Sequence, residues 1–164
     1  MIAKNEGRPD TGDAMPDVAM KMPEGGTVRP SEYRGKPLVM FFYPKDDTPG
    51  CTTENKDFTA LKNEFDAAGV ALLGVSKDPP AKHQKFIAKH DLAVSLASDT
   101  PPDAGDGIAE ALGIWVEKNM YGKKYMGLER TTYLVDAEGK IARVWRKVKV
   151  KGHAAEVLEA AKAP

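Results

Sequence analysis

The chain's clearest signal is three short apolar runs separated by helical stretches. Leu38 to Tyr43 is unbroken apolar sequence, as expected of a strand buried on both faces. Val70 to Val75 repeats the pattern, and Thr131 to Val135 gives a third strand. Between the first two, Thr52 to Ala68 carries Phe58, Leu61 and Phe65 at spacings of three and four. Lys62 and Glu64 fall on the opposite side, and Gly69 closes the stretch, so a helix is predicted. After Ser76-Lys77-Asp78-Pro79-Pro80, a second helix is predicted from Ala81 to about His90, with Phe86 and Ile87 inward. Asp136-Ala137-Glu138-Gly139 reads as a turn, followed by a returning strand, Ile141 to Val150, and a closing helix, Ala154 to Ala161.

Weaker signals complete the outline. Val18 to Val28 alternates loosely around Glu24-Gly25-Gly26 and suggests a short hairpin. Ser31 to Gly35 reads as one helical turn, Ser95 to Ala97 as a short strand and Ile108 to Leu112 as a short helix. Trp115 to Tyr125 is expected to be a loop that contributes to a pocket, with Met120 and Tyr121 lining it. The expected organisation is a polar arm, residues 1–13, followed by one domain over 14–164. Strands alternating with helices, then a hairpin and a helix, define an α/β layered domain with a mixed sheet, in the thioredoxin-like order.

Composition narrows the function. The 164 residues suit one domain with a real core. Lys and Arg number 24 and Asp and Glu 24, so nothing points to a nucleic-acid or anionic-membrane partner. Arg143 to Lys151 is locally basic but interleaved with valines, as in a strand with one solvated face. No segment has the apolar length of a membrane span, and Met1 to Asp13 lacks a signal-peptide run. The single cysteine excludes an intramolecular disulfide; a reducing compartment, most simply the cytoplasm, is the expectation. His83, His90 and His153 have no metal-ligand spacing and read as surface or packed residues.

That cysteine, Cys51, lies just past the first apolar run, behind Thr48-Pro49-Gly50. Thr48 suits a helix N-cap and Pro49 the first helical position. Gly50 and Cys51 then fall in the first turn, where unpaired amides and the helix dipole favour an anion. Such settings lower a thiol from ~8.5 to roughly 3.5–7.5. A free cysteine is also commonly a small buried hydrophobe; the turn in front of this one favours the reactive reading.

Two blocks carry a family resemblance. Phe42-Tyr43-Pro44-Lys45-Asp46-Asp47-Thr48-Pro49-Gly50-Cys51-Thr52 contains Pro-x-x-x-Thr-x-x-Cys, which is similar to the active-site signature of peroxiredoxins. Tyr121 to Asp136 resembles the bacterioferritin-comigratory (PrxQ) branch of that family. The resemblance runs from about Gly12 to about Leu158 and implies a thioredoxin-like fold and hydroperoxide reduction without a cofactor. By position it makes Cys51 the nucleophile, Thr48 a hydroxyl partner of thiolate and peroxide, Pro44 a shield from water, and Arg130 the cation beside sulfur. Gly50 would let substrate approach the first-turn amides. Without the family match, Arg130 would read as a surface partner of Glu129 or Asp136. Glu54, one turn beyond Cys51, either favours the helix dipole or holds Arg130.

The chain departs from this branch in one respect. Many members carry a resolving cysteine five residues after the nucleophile, where this chain has Lys56; others carry it on the next helix, and residues 81–91 have none. A one-cysteine enzyme is expected, whose sulfenic acid is cleared by an outside thiol: glutathione with glutaredoxin, or thioredoxin. A monomer or weak homodimer is implied. The alternative is a non-enzymatic peroxide sensor that uses the same thiol to dock a partner.

Overall fold

The structure, a computed structural model, describes residues 8–100 and 106–162. Its centre is the strand β3 (Leu38–Phe42), every residue of which is buried. Alternation divides its side chains between two cores. Leu38, Met40 and Phe42 face one, with Leu73, Val75 and Tyr133. Val39, Phe41 and Tyr43 face the other, with Phe58, Phe65 and Phe86. Both sheet faces are covered, which is why the run has no polar alternation.

Around β3 the chain lays down β1 (Met20–Lys21), β2 (Thr27–Val28), β4 (Ala71–Ser76), β5 (Ser95–Ser98), β8 (Thr131–Val135) and β9 (Ile141–Trp145). The sheet order is β2-β1-β5-β4-β3-β8-β9. β3, β4 and β5 are parallel, while β8 runs antiparallel to β3 and β9 antiparallel to β8. Helices α1 (Pro49–Ala60), α2 (Lys62–Ala67), α3 (Pro80–His90) and α5 (His153–Lys162) cover one face, and α4 (Ile108–Leu112) packs on the other. This is the thioredoxin-like mixed sheet expected from the pattern. No helix among the described residues is long and apolar enough to cross a membrane.

Four expectations are corrected. The predicted helix from Thr52 to Ala68 breaks at Leu61, whose amide is shared between the Asp57 and Phe58 carbonyls. The apolar stripe survives because Phe58 and Phe65 pack together, 5.9 Å between rings. The returning strand ends at Trp145, five residues early. Lys147 takes a left-handed backbone (φ 49), and the amide of Val148 turns to the Arg130 carbonyl at 3.0 Å. The expected loop from Trp115 is a hairpin, β6 (Trp115–Met120) and β7 (Lys123–Leu128), paired only with itself. Tyr121 (φ 53) and Gly122 (φ 81) supply the two positive φ angles of its tight turn. The expected loose arm lies outside the described residues over 1–7. Its described part is tied down, with Gly12 N–H on the Ile141 carbonyl at 2.8 Å and Arg146 on the Pro9 carbonyl at 3.0 Å.

Candidate active site

Topology brings the site together. β3 delivers the chain to the turn preceding α1, and β8 lies beside β3 with Thr131 opposite Phe42. Arg130, one residue before β8, therefore flanks the start of α1. Its carbonyl is held by the Val148 amide. The family of contacts at this sheet end comes from segments 79 residues apart in sequence.

At the start of α1, Thr48 occupies the N-cap with an extended backbone (φ −96, ψ 155), and Pro49 opens the helix. The Thr48 side chain does not cap. Its hydroxyl donates to the Lys45 carbonyl at 2.8 Å instead. The first ladder bond is Thr52 N–H to the Thr48 carbonyl, so the Gly50 and Cys51 amides precede the ladder and face the positive end of the dipole. Gly50 also makes room: a Cβ there would lie 3.3 Å from Nη2 of Arg130.

Cys51 is buried, 1% exposed. Its Sγ accepts from Nη2 of Arg130 at 3.3 Å. The other arm of the guanidinium, Nη1, donates to Oε1 of Glu54 at 2.6 Å. Glu54 is buried, and its Oε2 has no hydrogen-bond partner among the described residues. Burial pushes this carboxyl up from 4.5 to about 7, against the pull of Arg130. Burial disfavours the charge on Arg130 too, but Glu54 and Cys51 outweigh it and hold the guanidinium above its ordinary value. A planar fork between a carboxylate and a sulfur is a geometry that lysine could not reproduce. Glu54 thus takes the second of its two anticipated roles.

A groove of about 580 Å³ opens beside the site, lined among others by Pro44, Thr48, Trp115, Met120, Tyr125 and Met126. Its apolar wall comes from the hairpin, where Met120 is 55% and Met126 50% exposed. Tyr121 is fully exposed at the hairpin tip and is not among the lining residues, contrary to expectation. Lys118 also lines the groove. Burial and the charge of Arg130 lower its pKa.

The structure therefore brings Cys51, Gly50 and Arg130 together, with Pro44 and Thr48 on the groove side. The Thr48 hydroxyl gives its proton to the Lys45 carbonyl rather than to sulfur. Lys56 is exposed on α1 while Cys51 is buried, so the two occupy opposite faces, as five residues of helix dictate. Sequence reasoning passed over two residues. Asp46 is 2% exposed although it lies in an Asp-Asp turn, and His83 is fully buried against it rather than a routine packed histidine. No local signal marks either: their partnership spans 37 residues.

A thioredoxin-like sheet with a lone thiol at a helix N-terminus under an arginine defines a thiol-dependent peroxidase. The sequence matches the model of the AhpC/TSA family over residues 11–144, and the chain belongs to that family, as a peroxiredoxin of the Bcp/PrxQ kind. It is 45% identical over 153 residues to peroxiredoxin Bcp of Bacillus subtilis, covering 93% of this chain and 95% of that protein. The structure superposes on peroxiredoxin Q of Xanthomonas campestris with a TM-score of 0.84 at 44% identity, covering 94% of this chain and 98% of the other. It also matches the bacterioferritin comigratory protein of that organism, in a structure concerned with its alkyl peroxide reduction (TM-score 0.83, 44% identity, 94% and 98% covered).

Proposed function

We propose that Cys51 is the peroxidatic thiol of a one-cysteine enzyme, and that Arg130, Thr48, Gly50 and Pro44 complete its site. The observation that carries this reading is the 3.3 Å contact of the Arg130 guanidinium with Sγ, braced from behind by Glu54. The Cys51 thiolate attacks the terminal oxygen of the hydroperoxide. A sulfur–oxygen bond forms, the oxygen–oxygen bond breaks, and the departing alkoxide or hydroxide takes a proton from water. Sulfur is oxidised to sulfenic acid and the peroxide is reduced. Negative charge moves from sulfur to the leaving oxygen during this step. Arg130 and the Gly50 and Cys51 amides are donors within reach of that displacement. Thr48, its proton committed to the Lys45 carbonyl, offers lone pairs to the peroxide O–H. Pro44 lines the groove and contributes no donor, limiting water there.

The apolar hairpin wall supports organic hydroperoxides as substrates beside hydrogen peroxide. The only cysteine of the chain requires a second thiol for turnover. That thiol attacks the sulfenic acid with loss of water to give a mixed disulfide, and a further thiol releases Cys51. We assign this to thioredoxin or to glutathione with glutaredoxin, acting on a monomer or weak homodimer in the cytoplasm. Peroxide consumption, followed with cumene hydroperoxide and hydrogen peroxide and each reductant in turn, tests it. Many turnovers per chain are expected with at least one reductant. One turnover per chain with all of them would leave the sensor reading in its place.

A further inference from the structure

The six residues Tyr43 to Thr48 link β3 to α1 and include two adjacent aspartates. Asp47 is exposed and takes a left-handed backbone (φ 62), with its carboxylate on Lys89 and His90 at the end of α3. Asp46 points the other way, into the protein. Its Oδ1 accepts from the Tyr43 hydroxyl at 2.6 Å, and Oδ2 meets Nδ1 of His83 at 2.6 Å. The second ring nitrogen, Nε2, faces the Ala97 carbonyl at 3.0 Å. A carbonyl can only accept, so Nε2 carries a proton, and a further proton lies between Nδ1 and Asp46. This is a buried, hydrogen-bonded acid–base pair, and removing one partner would leave the other buried and unpaired.

The pair shares no hydrogen bond with Cys51 or Arg130 among the described residues, yet one peptide connects it to the site. The amide of Asp46 donates to Oδ2 of Asp78 at 2.7 Å, an oxygen that also accepts from the Ser76 hydroxyl at 2.7 Å. The carbonyl of that same peptide unit belongs to Lys45, and it accepts the Thr48 hydroxyl. Wherever the Lys45–Asp46 peptide plane points, the Thr48 hydroxyl follows.

We propose that His83, acting through Asp46, is a positioning residue for hydroperoxide reduction: it fixes the Lys45–Asp46 peptide and so aims the oxygen of Thr48 at the substrate. The proposal rests on the roles given above to Cys51 and Thr48. Two near-isosteric replacements separate the two ring contacts. His83→Asn places an amide donor where Nδ1 was and keeps the bond to Asp46. His83→Gln places it where Nε2 was and abandons Asp46. Two rates are read in each variant: oxidation of Cys51 by hydrogen peroxide, which needs Thr48, and alkylation of Cys51 by iodoacetamide, which needs only a reachable thiolate.

His83→Gln is expected to slow peroxide oxidation by about 10- to 100-fold, the scale of small misplacements in a site. Alkylation should stay within about twofold, since the helix N-terminus and Arg130 are untouched. His83→Asn should recover most of the peroxide rate. In a Thr48→Val background, His83→Gln should add nothing further, because the group it aims is gone. Equal peroxide rates in the Asn and Gln variants would overturn the proposal. So would an undiminished effect of His83→Gln in the Thr48→Val background, or parallel losses in both reactions. Failure of the underlying reading looks different: wild-type protein would then not react with peroxide at Cys51, or Thr48→Val alone would react as fast as wild type.

Discussion

Replacing Glu54 by glutamine separates the charge of the buried carboxylate from its shape. The glutamine Oε1 can still accept from Nη1 of Arg130, and the side chain fills the same space. Its amide replaces an oxygen that has no hydrogen-bond partner among the described residues, which adds a pH-independent cost of about 1–3 kcal/mol. The pH dependence is cleaner. Burial raises the Glu54 carboxyl from 4.5 to about 7 in the folded protein. The folded state therefore holds this proton more tightly than the unfolded chain does. The stability it confers is complete below the unfolded value and is lost as pH rises through the folded value. At about 1.4 kcal/mol per tenfold change in proton affinity, wild type should lose about 2–3 kcal/mol between about pH 5 and about pH 8 that Glu54→Gln does not lose. Urea unfolding of both proteins at the two pH values, in a Cys51→Ser background so that the thiol does not titrate, measures the difference. Glu54→Gln should gain on its parent by that amount at the higher pH. A stability difference constant to within about 0.5 kcal/mol would refute the claim that Glu54 is held as a strained carboxylate.

Other consequences can be tested singly. Lys56→Cys restores a second thiol on the far face of α1; the wild type, which waits as sulfenic acid, should be inactivated at lower peroxide than this variant, as read by residual turnover over a peroxide titration. Gly74→Ala should destabilise the fold by about 1–3 kcal/mol in urea, because a Cβ in β4 would lie 2.7 Å from the ring of Phe41 and 2.8 Å from Leu96. His153, buried with the Thr132 hydroxyl 2.9 Å from Nε2, should give a ring-proton titration midpoint near 4 by NMR, because burial lowers its pKa and Arg130 adds to that against Glu156; a midpoint at its ordinary 6.5 would contradict the packing.

The parts of this molecule that were legible in the sequence are those fixed by local pattern. β3 has no polar alternation because both its faces are covered, and Thr48-Pro49-Gly50 announces the start of α1 because capping chemistry is local. Arg130 was not legible that way. An arginine between Glu129 and Thr131 looks like a surface charge until the antiparallel pairing of β8 with β3 sets it over Cys51, and only the family resemblance anticipated this. The β6–β7 hairpin escaped because Lys118, Lys123 and Lys124 break its alternation and it pairs with no other strand. The end of β9 was overrun because its alternation continues past Trp145 while the backbone at Lys147 does not. Asp46 and His83 escaped for the same reason as Arg130: each gains its meaning from a residue distant in sequence.

The central claim is that Cys51 is a peroxidatic thiolate. Reduced protein given one equivalent of hydrogen peroxide, with and without a sulfenate trap, and analysed by intact mass beside Cys51→Ser, tests it most directly. Rapid addition of one oxygen, captured by the trap and absent from the variant, is the predicted result. A wild-type mass unchanged after minutes, or oxygen added equally to Cys51→Ser, would contradict it and return Cys51 to the role of a packed core residue.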